Sequence, residues 1–407
     1  MNTTNWICEL ANANGDTIFI GKAENTGFKT LNNYLMKTYI RFNLLNIAAL
    51  LLITVTLNAQ HVIIEELHLN FNSAEVHLSE EAETYIQSVV DIMKKDAIHR
   101  KKLNFDQIHQ AIRYYADGAE SGDDTHEAIK KVMPLLQDHH SYFMSAAYVS
   151  KTLGLSSEDV EVIKMGKAPH IDRYKIDSLK NSLDYATGKI IDNNVGYFYI
   201  PSFDNLYDEA MTLFADSLQK MIQEFDQQNL KGWIIDIRHN TGGADMPMIA
   251  GLGPLLDSNN VYYSVDEEGK VKARSFYQDG GYYNIETGES TKDPLVQTTV
   301  NYQLTNKHLP IALLTSFKTA SSAEAVAAIF AGQDNVKIIG SKTNGLTTVN
   351  SFNFLEDNSV LNLTIGYYAN RHHQLYRQGI QPDILVKSEK DEAEDIVLQK
   401  AIQWMME

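Results

Sequence analysis

The sequence predicts a mixed α/β (α+β) fold, with a central β-sheet flanked by helices and a helical subdomain ahead of it. Three observations carry this expectation. Apolar residues recur at helical spacing from Glu80 to Leu136. Beyond Thr187-Gly188, short β-branched and aromatic runs alternate with helical stretches. Two of those runs, 232–238 and 310–315, are almost continuously apolar, as strands buried on both faces are. With 407 residues, 44% of them apolar, the chain has ample material for a packed core, which excludes wholesale disorder.

Taken in order, residues 82–95 read as a helix with Ile86, Val89, Val90 and Met93 on one face. Helices are expected at 105–116 and 125–136, separated by the turn-rich stretch 117–124. Residues 145–186 have no single period, with short helices expected near 156–163 and 176–183. The β pattern then begins: a strand at 195–200 ended by Pro201, a long helix at 206–225, and the apolar strand 232–238. Asp245–Leu252 reads as a helix entered from a glycine turn, 261–281 as antiparallel strand material, and 282–306 as a long surface excursion. A strand at 310–315, a helix at 321–330, a strand at Val336–Gly340 and a hairpin of 347–354 with 359–369 follow. An amphipathic helix at 391–406 closes the chain. Strand–helix alternation places chemistry at the C-terminal edges of the two apolar strands.

Met36-Lys37-Thr38-Tyr39-Ile40-Arg41, the uncharged Leu-rich run 42–57 and Asn58-Ala59-Gln60 form a secretory-signal pattern with cleavage after Ala59. The run is short for a membrane span, which needs about 20 apolar residues. The expected organisation is therefore an extension or mis-set start at 1–35, a signal peptide at 36–59 and a helical subdomain at 60–145. A connecting or cap segment at 146–187, a core at 188–388 and a C-terminal helix at 389–407 complete it. Cys8, the single cysteine, precedes the expected cleavage point, so the exported part has neither disulfide nor thiolate nucleophile. The net charge of −17 argues against non-specific nucleic-acid binding.

Three segments can carry chemistry. Thr319-Ala320-Ser321-Ser322-Ala323-Glu324 opens a helix directly after a buried strand. A serine there is either an exposed hydroxyl beside unpaired amides or an ordinary cap, with Glu324 completing a capping box. Asp236-Ile237-Arg238-His239-Asn240-Thr241-Gly242-Gly243 ends a strand in polar residues and paired glycines, which either offer amides to a ligand or simply turn the chain. Asp138-His139-His140-Ser141 supplies two imidazoles, as base, surface residues or metal ligands. Adjacent side chains diverge, so a two-histidine clamp on one metal is disfavoured.

In this order, and followed by Gly340-Ser341-Lys342-Thr343-Asn344-Gly345 and Gly379-Ile380-Gln381-Pro382-Asp383, the segments resemble the serine peptidases of the C-terminal processing (tail-specific) and tricorn-core family. The five elements run from Asp138 to Asp383. The resemblance implies a ClpP/crotonase-like peptidase core, Ser321 as nucleophile, and an oxyanion hole from Ser322 and the Gly242-Gly243 turn. It implies His140 as base, as in the tricorn-like branch. The processing-protease lysine would fall at Leu346, which excludes a Ser–Lys dyad at that position. The glutamate of the tricorn-like branch falls at Tyr376, a phenol without a permanent charge at neutral pH. Tyr376, His139 and Glu324 are the further residues of the expected network, and His372 and His373 lie close to Tyr376 in sequence.

The implied reaction is acyl transfer to water without metal or organic cofactor, on peptide or unfolded-protein substrates, in the periplasm, at the cell envelope or in the medium. The competing expectation is an exported peptide-binding protein on the same scaffold. Too few residues separate Phe143 from Gly188 for a PDZ module, so none is expected. The sequence leaves the oligomeric state open.

Overall fold

The computed structural model describes residues 8–11, 17–20, 75–171, 185–191, 194–290, 293–387 and 395–407. The expected signal at 36–59 and the expected helix at 176–183 lie outside the described residues. The chain divides into two compact units, Met1–Ala59 and Gln60–Glu407. In the first, Cys8–Ala11 and Thr17–Ile20 pair as an antiparallel hairpin.

In the second unit, the helix Glu80–Asp96 starts where Ser79 Oγ accepts from the Ala82 amide at 3.0 Å. Acidic residues in its first turn and Lys94 and Lys95 in its last complement the helix dipole. Its apolar stripe packs with Phe105–Tyr115 and His126–Val132 on Leu355, Leu361 and Leu363. The helical region therefore shares a core with a β-sheet from the far end of the chain.

Six strands form the expected central sheet, in the order Ile384–Leu385, Val336–Gly340, Ile311–Thr315, Gly232–Asp236, Val195–Tyr199 and Thr187–Ile191. All pair in parallel except the last. Alternate residues of its inner strands bury on opposite faces. Ile235 and Leu313 join the core formed with Asp208–Asp226, Asp245–Leu252 and Ser322–Phe330. Ile234, Ala312 and Leu314 pack instead with Val397 and Ala401 of the C-terminal helix Ile396–Met406. Two-sided burial explains why these strands read as unbroken apolar runs.

The remaining strands form a second, eight-stranded sheet, in which Val360–Ala369 pairs with Tyr142–Met144, Tyr262–Val265 and Thr348–Phe354. All of these pairings are antiparallel. The short strand Tyr142–Met144 carries no sequence periodicity and was not expected. The expected surface excursion at 282–306 is corrected at its start. Gly281–Glu286 is a strand of this sheet, and Tyr282 is buried because its hydroxyl bonds Tyr262 and Asp245 inside the molecule. Between Ser145 and Ile171, the helix Ser157–Lys164 matches the one expected near 156–163.

Candidate active site

Two loops leave the C-terminal ends of Gly232–Asp236 and Ile311–Thr315 and are tied to each other. Thr319 Oγ1 donates to the Ile237 carbonyl at 2.9 Å, and the Ala320 amide donates to the Asn240 carbonyl at 3.2 Å. Asp236 anchors the first loop by accepting from Arg238 and from the Tyr197 hydroxyl at 2.7 Å. Arg238 also bonds Asp395 at 2.8 Å, joining the C-terminal helix to the same network.

These ties hold Ser321 at the mouth of the helix Ser322–Phe330 with φ 54° and ψ −120°. For a residue with a Cβ this is a strained conformation, costing on the order of 1–3 kcal/mol. Glu324 stabilises it: its buried carboxylate accepts from the Ser321 amide at 3.1 Å, from the Gly345 amide at 3.0 Å and from the Thr343 hydroxyl. Burial raises its pKa, and these three donors oppose the rise. Glu324 thus fastens the serine turn to the Thr343-Asn344-Gly345 turn.

The Gly242-Gly243 turn runs against Ser321. A Cβ on Gly242 would lie 2.8 Å from the Ser321 Cβ, and one on Gly243 would lie 2.0 Å from the Phe203 carbonyl oxygen. Both glycines have positive φ, 118° and 104°. The Gly242 amide donates to Asn240 Oδ1 at 2.8 Å, which occupies it. Among the described residues the amides of Gly243 and Ser322 have no acceptor, while the Ser322 hydroxyl donates to the Gly243 carbonyl. Two unpaired amides therefore flank the serine.

His140 comes from the opposite wall. Asp138 Oδ1 accepts from the amides of His140 at 3.0 Å and Ser141 at 2.6 Å, and from Thr364 Oγ1 at 3.1 Å. The His140 carbonyl accepts from Asn350 and Asn362 side chains at 2.8 and 3.2 Å. Its ring Nδ1 lies 2.6 Å from Thr348 Oγ1, which is 3.2 Å from Asn350 Oδ1. Asn350 Oδ1 only accepts, so a Thr348 proton directed to it leaves the Thr348 oxygen to accept from Nδ1–H, the tautomer with its lone pair on Nε2. Burial lowers the His140 pKa to about 4, against the raising effect of Asp138, so the ring is neutral at physiological pH.

Ser321, Ser322, Gly243, His140 and Thr348 line one cleft of about 530 Å³. Leu346 lines it too. His139 is exposed and Tyr376 is buried elsewhere, its hydroxyl accepting from Asn370 at 2.9 Å; neither lines this cleft. Burial pushes the Tyr376 pKa up to about 12, so it stays a neutral phenol. His373 stacks on Tyr263 with ring centres 4.4 Å apart, and His372 lies 3.4 Å from the Gly332 carbonyl, both away from the cleft lining. Thr348 and Asn350 were not singled out from sequence, because a threonine and an asparagine in a strand carry no local signal of a distant imidazole.

A strained serine turn beside two unpaired amides thus shares one cleft with the half-buried His140 ring. Residues 194–386 match the model of Peptidase family S41. The chain is 28% identical to the nisin-resistance protein of Lactococcus lactis over 269 residues, 66% of this chain and 78% of that one. It is 27% identical to the carboxy-terminal processing protease CtpA of Bacillus subtilis over 194 residues, 47% of this chain but 35% of the relative. A solved lipoprotein structure from Streptococcus agalactiae shares the fold with TM-score 0.60 at 23% identity, covering 82% of this chain and 99% of the other.

Proposed function

We propose that this chain is a serine endopeptidase that works through an acyl-enzyme, with Ser321 as nucleophile and His140 as general base. The supporting observation is the Nδ1–Thr348–Asn350 hydrogen-bond series, which leaves His140 Nε2 as a proton acceptor in the cleft that Ser321 also lines. His140 takes the Ser321 proton as the hydroxyl attacks a peptide carbonyl. The amides of Gly243 and Ser322 receive the oxyanion; Gly242 contributes backbone shape rather than a donor, since its amide is bonded to Asn240. His140 then protonates the leaving amine, and water releases the acyl group. Thr348 takes the orienting place that a carboxylate fills in many serine hydrolases. Leu346 in the cleft supports a histidine rather than a lysine base.

The substrates are peptides or unfolded proteins, met outside the cytoplasm. The signal pattern at 36–59 supports export, and among the described residues no helix is long and apolar enough to cross a membrane. The test is labelling of the purified chain with a fluorophosphonate serine probe, together with cleavage of a peptide panel that includes nisin, from the name of one relative. Labelling and cleavage are expected in the wild type and lost in S321A and H140A. Cleavage persisting in S321A rejects the nucleophile. Tight peptide binding without labelling or turnover selects the alternative, a non-catalytic peptide-binding protein.

A further inference from the structure

A second cavity, of about 490 Å³, adjoins the cleft and shares Tyr142, Met144, Leu153 and Asp204 with it. Asp204 follows Phe203, which pairs with Gly243, and its Oδ1 lies 2.7 Å from where a Gly243 Cβ would be. The carboxylate thus packs against one of the two glycines beside Ser321. Among the described residues it has no hydrogen-bond or ion-pair partner.

Among the described residues no ion pair neutralises this carboxylate, and no lysine or arginine lines the cleft. Asp245, the other acid there, is half-buried and accepts from the Tyr262 and Tyr282 hydroxyls, so it is already satisfied. Lys130 lines the second cavity, but its ammonium is held by Glu127 at 2.6 Å. Asp204 is open to solvent on its cavity side, yet the walls desolvate it enough to raise its pKa. A cation binding there relieves that cost.

The walls suit a long cationic side chain. Met144 and Leu153 offer apolar surface for an aliphatic stem, and Tyr142 and Tyr148 offer ring faces near the charge. Both tyrosines are exposed, 40% and 51%, and so are reachable by a ligand. The net charge of −17 favours approach of basic peptides over acidic ones.

Resting on the peptidase reading of the adjoining cleft, we propose that Asp204 anchors a subsite for a lysine or arginine side chain next to the scissile bond. The test uses an octapeptide library in which each position is fixed in turn as Lys, Arg, norleucine or Glu, with wild type, D204N and D204K. Ser321 labelling is measured in each variant as the sign of a formed active site. In the wild type, Lys or Arg at one position flanking the cut is expected to exceed norleucine in kcat/KM by about tenfold. That ratio falls to about one in D204N, and D204K favours Glu at the same position. A basic preference that survives D204N, or a wild type with none, overturns the subsite. If neither labelling nor cleavage is found, the peptidase reading fails separately, and binding of dye-labelled Lys and norleucine octapeptides to S321A decides the subsite. A Lys preference lost in S321A/D204N supports it; equal binding overturns it.

Discussion

Replacing Thr348 by valine removes one oxygen from behind His140 and keeps the side chain's shape. In the native chain the Nδ1–H bond to Thr348 spans 2.6 Å, and Thr348 is itself oriented by Asn350 at 3.2 Å. When His140 carries the Ser321 proton, this bond is made by an imidazolium, and hydrogen bonds to charged groups contribute about 1.5–3 kcal/mol. The tetrahedral intermediate loses that stabilisation in T348V. At about 1.36 kcal/mol per factor of ten, kcat should fall about 10- to 150-fold. KM should change little, because Thr348 orients the base and does not hold the peptide. The assay is the rate of fluorophosphonate labelling together with kcat on a cleaved peptide, with melting temperature as the folding control. T348S restores the hydroxyl and should recover most of the rate. The acid limb of the T348V profile should also move to lower pH, since losing an acceptor disfavours the protonated ring. A folded T348V that labels and turns over at the wild-type rate would refute the argument.

The remaining predictions concern charge, backbone and network. His140 has its folded pKa lowered to about 4 from 6.5, so the base stays available as pH falls below neutrality; labelling should decline with a midpoint near about 4, and an inflection near 6.5 contradicts its burial. Because the unfolded chain binds that proton first, this group's contribution to stability is present above pH 6.5 and is lost as pH falls toward about 4, measurable as a falling melting temperature that H140A lessens. G242A should abolish labelling, since the new Cβ would meet the Ser321 Cβ at 2.8 Å; G243A should also lower the melting temperature, its Cβ meeting the Phe203 carbonyl oxygen at 2.0 Å. E324Q puts an amide donor among three donors and should destabilise the fold by about 1–3 kcal/mol in denaturant titrations. Y376F should label within about twofold of wild type, because Tyr376 does not line the cleft that holds Ser321 and His140; a large loss would place Tyr376 in the reaction after all.

Much of the scaffold was readable because its signals are local. Two-sided burial makes 232–238 and 310–315 continuous apolar runs, and the bounds of Asp245–Leu252 and Val336–Gly340 follow from glycine turns and strand content. The strand Tyr142–Met144 was not readable: three residues have no period, and they become a strand only by pairing with Val360–Ala369. Tyr282 was misjudged for a related reason. A tyrosine in a polar stretch looks exposed until Asp245 and Tyr262 provide buried partners for its hydroxyl.

By itself, the sequence determined the order of strands and helices, the serine at a helix mouth, the paired glycines at a strand end and the histidine after the third helix. These are properties of neighbouring residues, and backbone geometry ties each to its own element. Only the tertiary structure decided which amides stay unpaired, since Asn240 takes the Gly242 amide and no described residue takes that of Gly243. It also decided that a threonine 208 positions later orients His140, that Leu346 lines the cleft, and that Tyr376 turns away into the core. Hydrogen-bond partners and burial are set by pairing between distant strands, and no short window of sequence contains both members of such a pair.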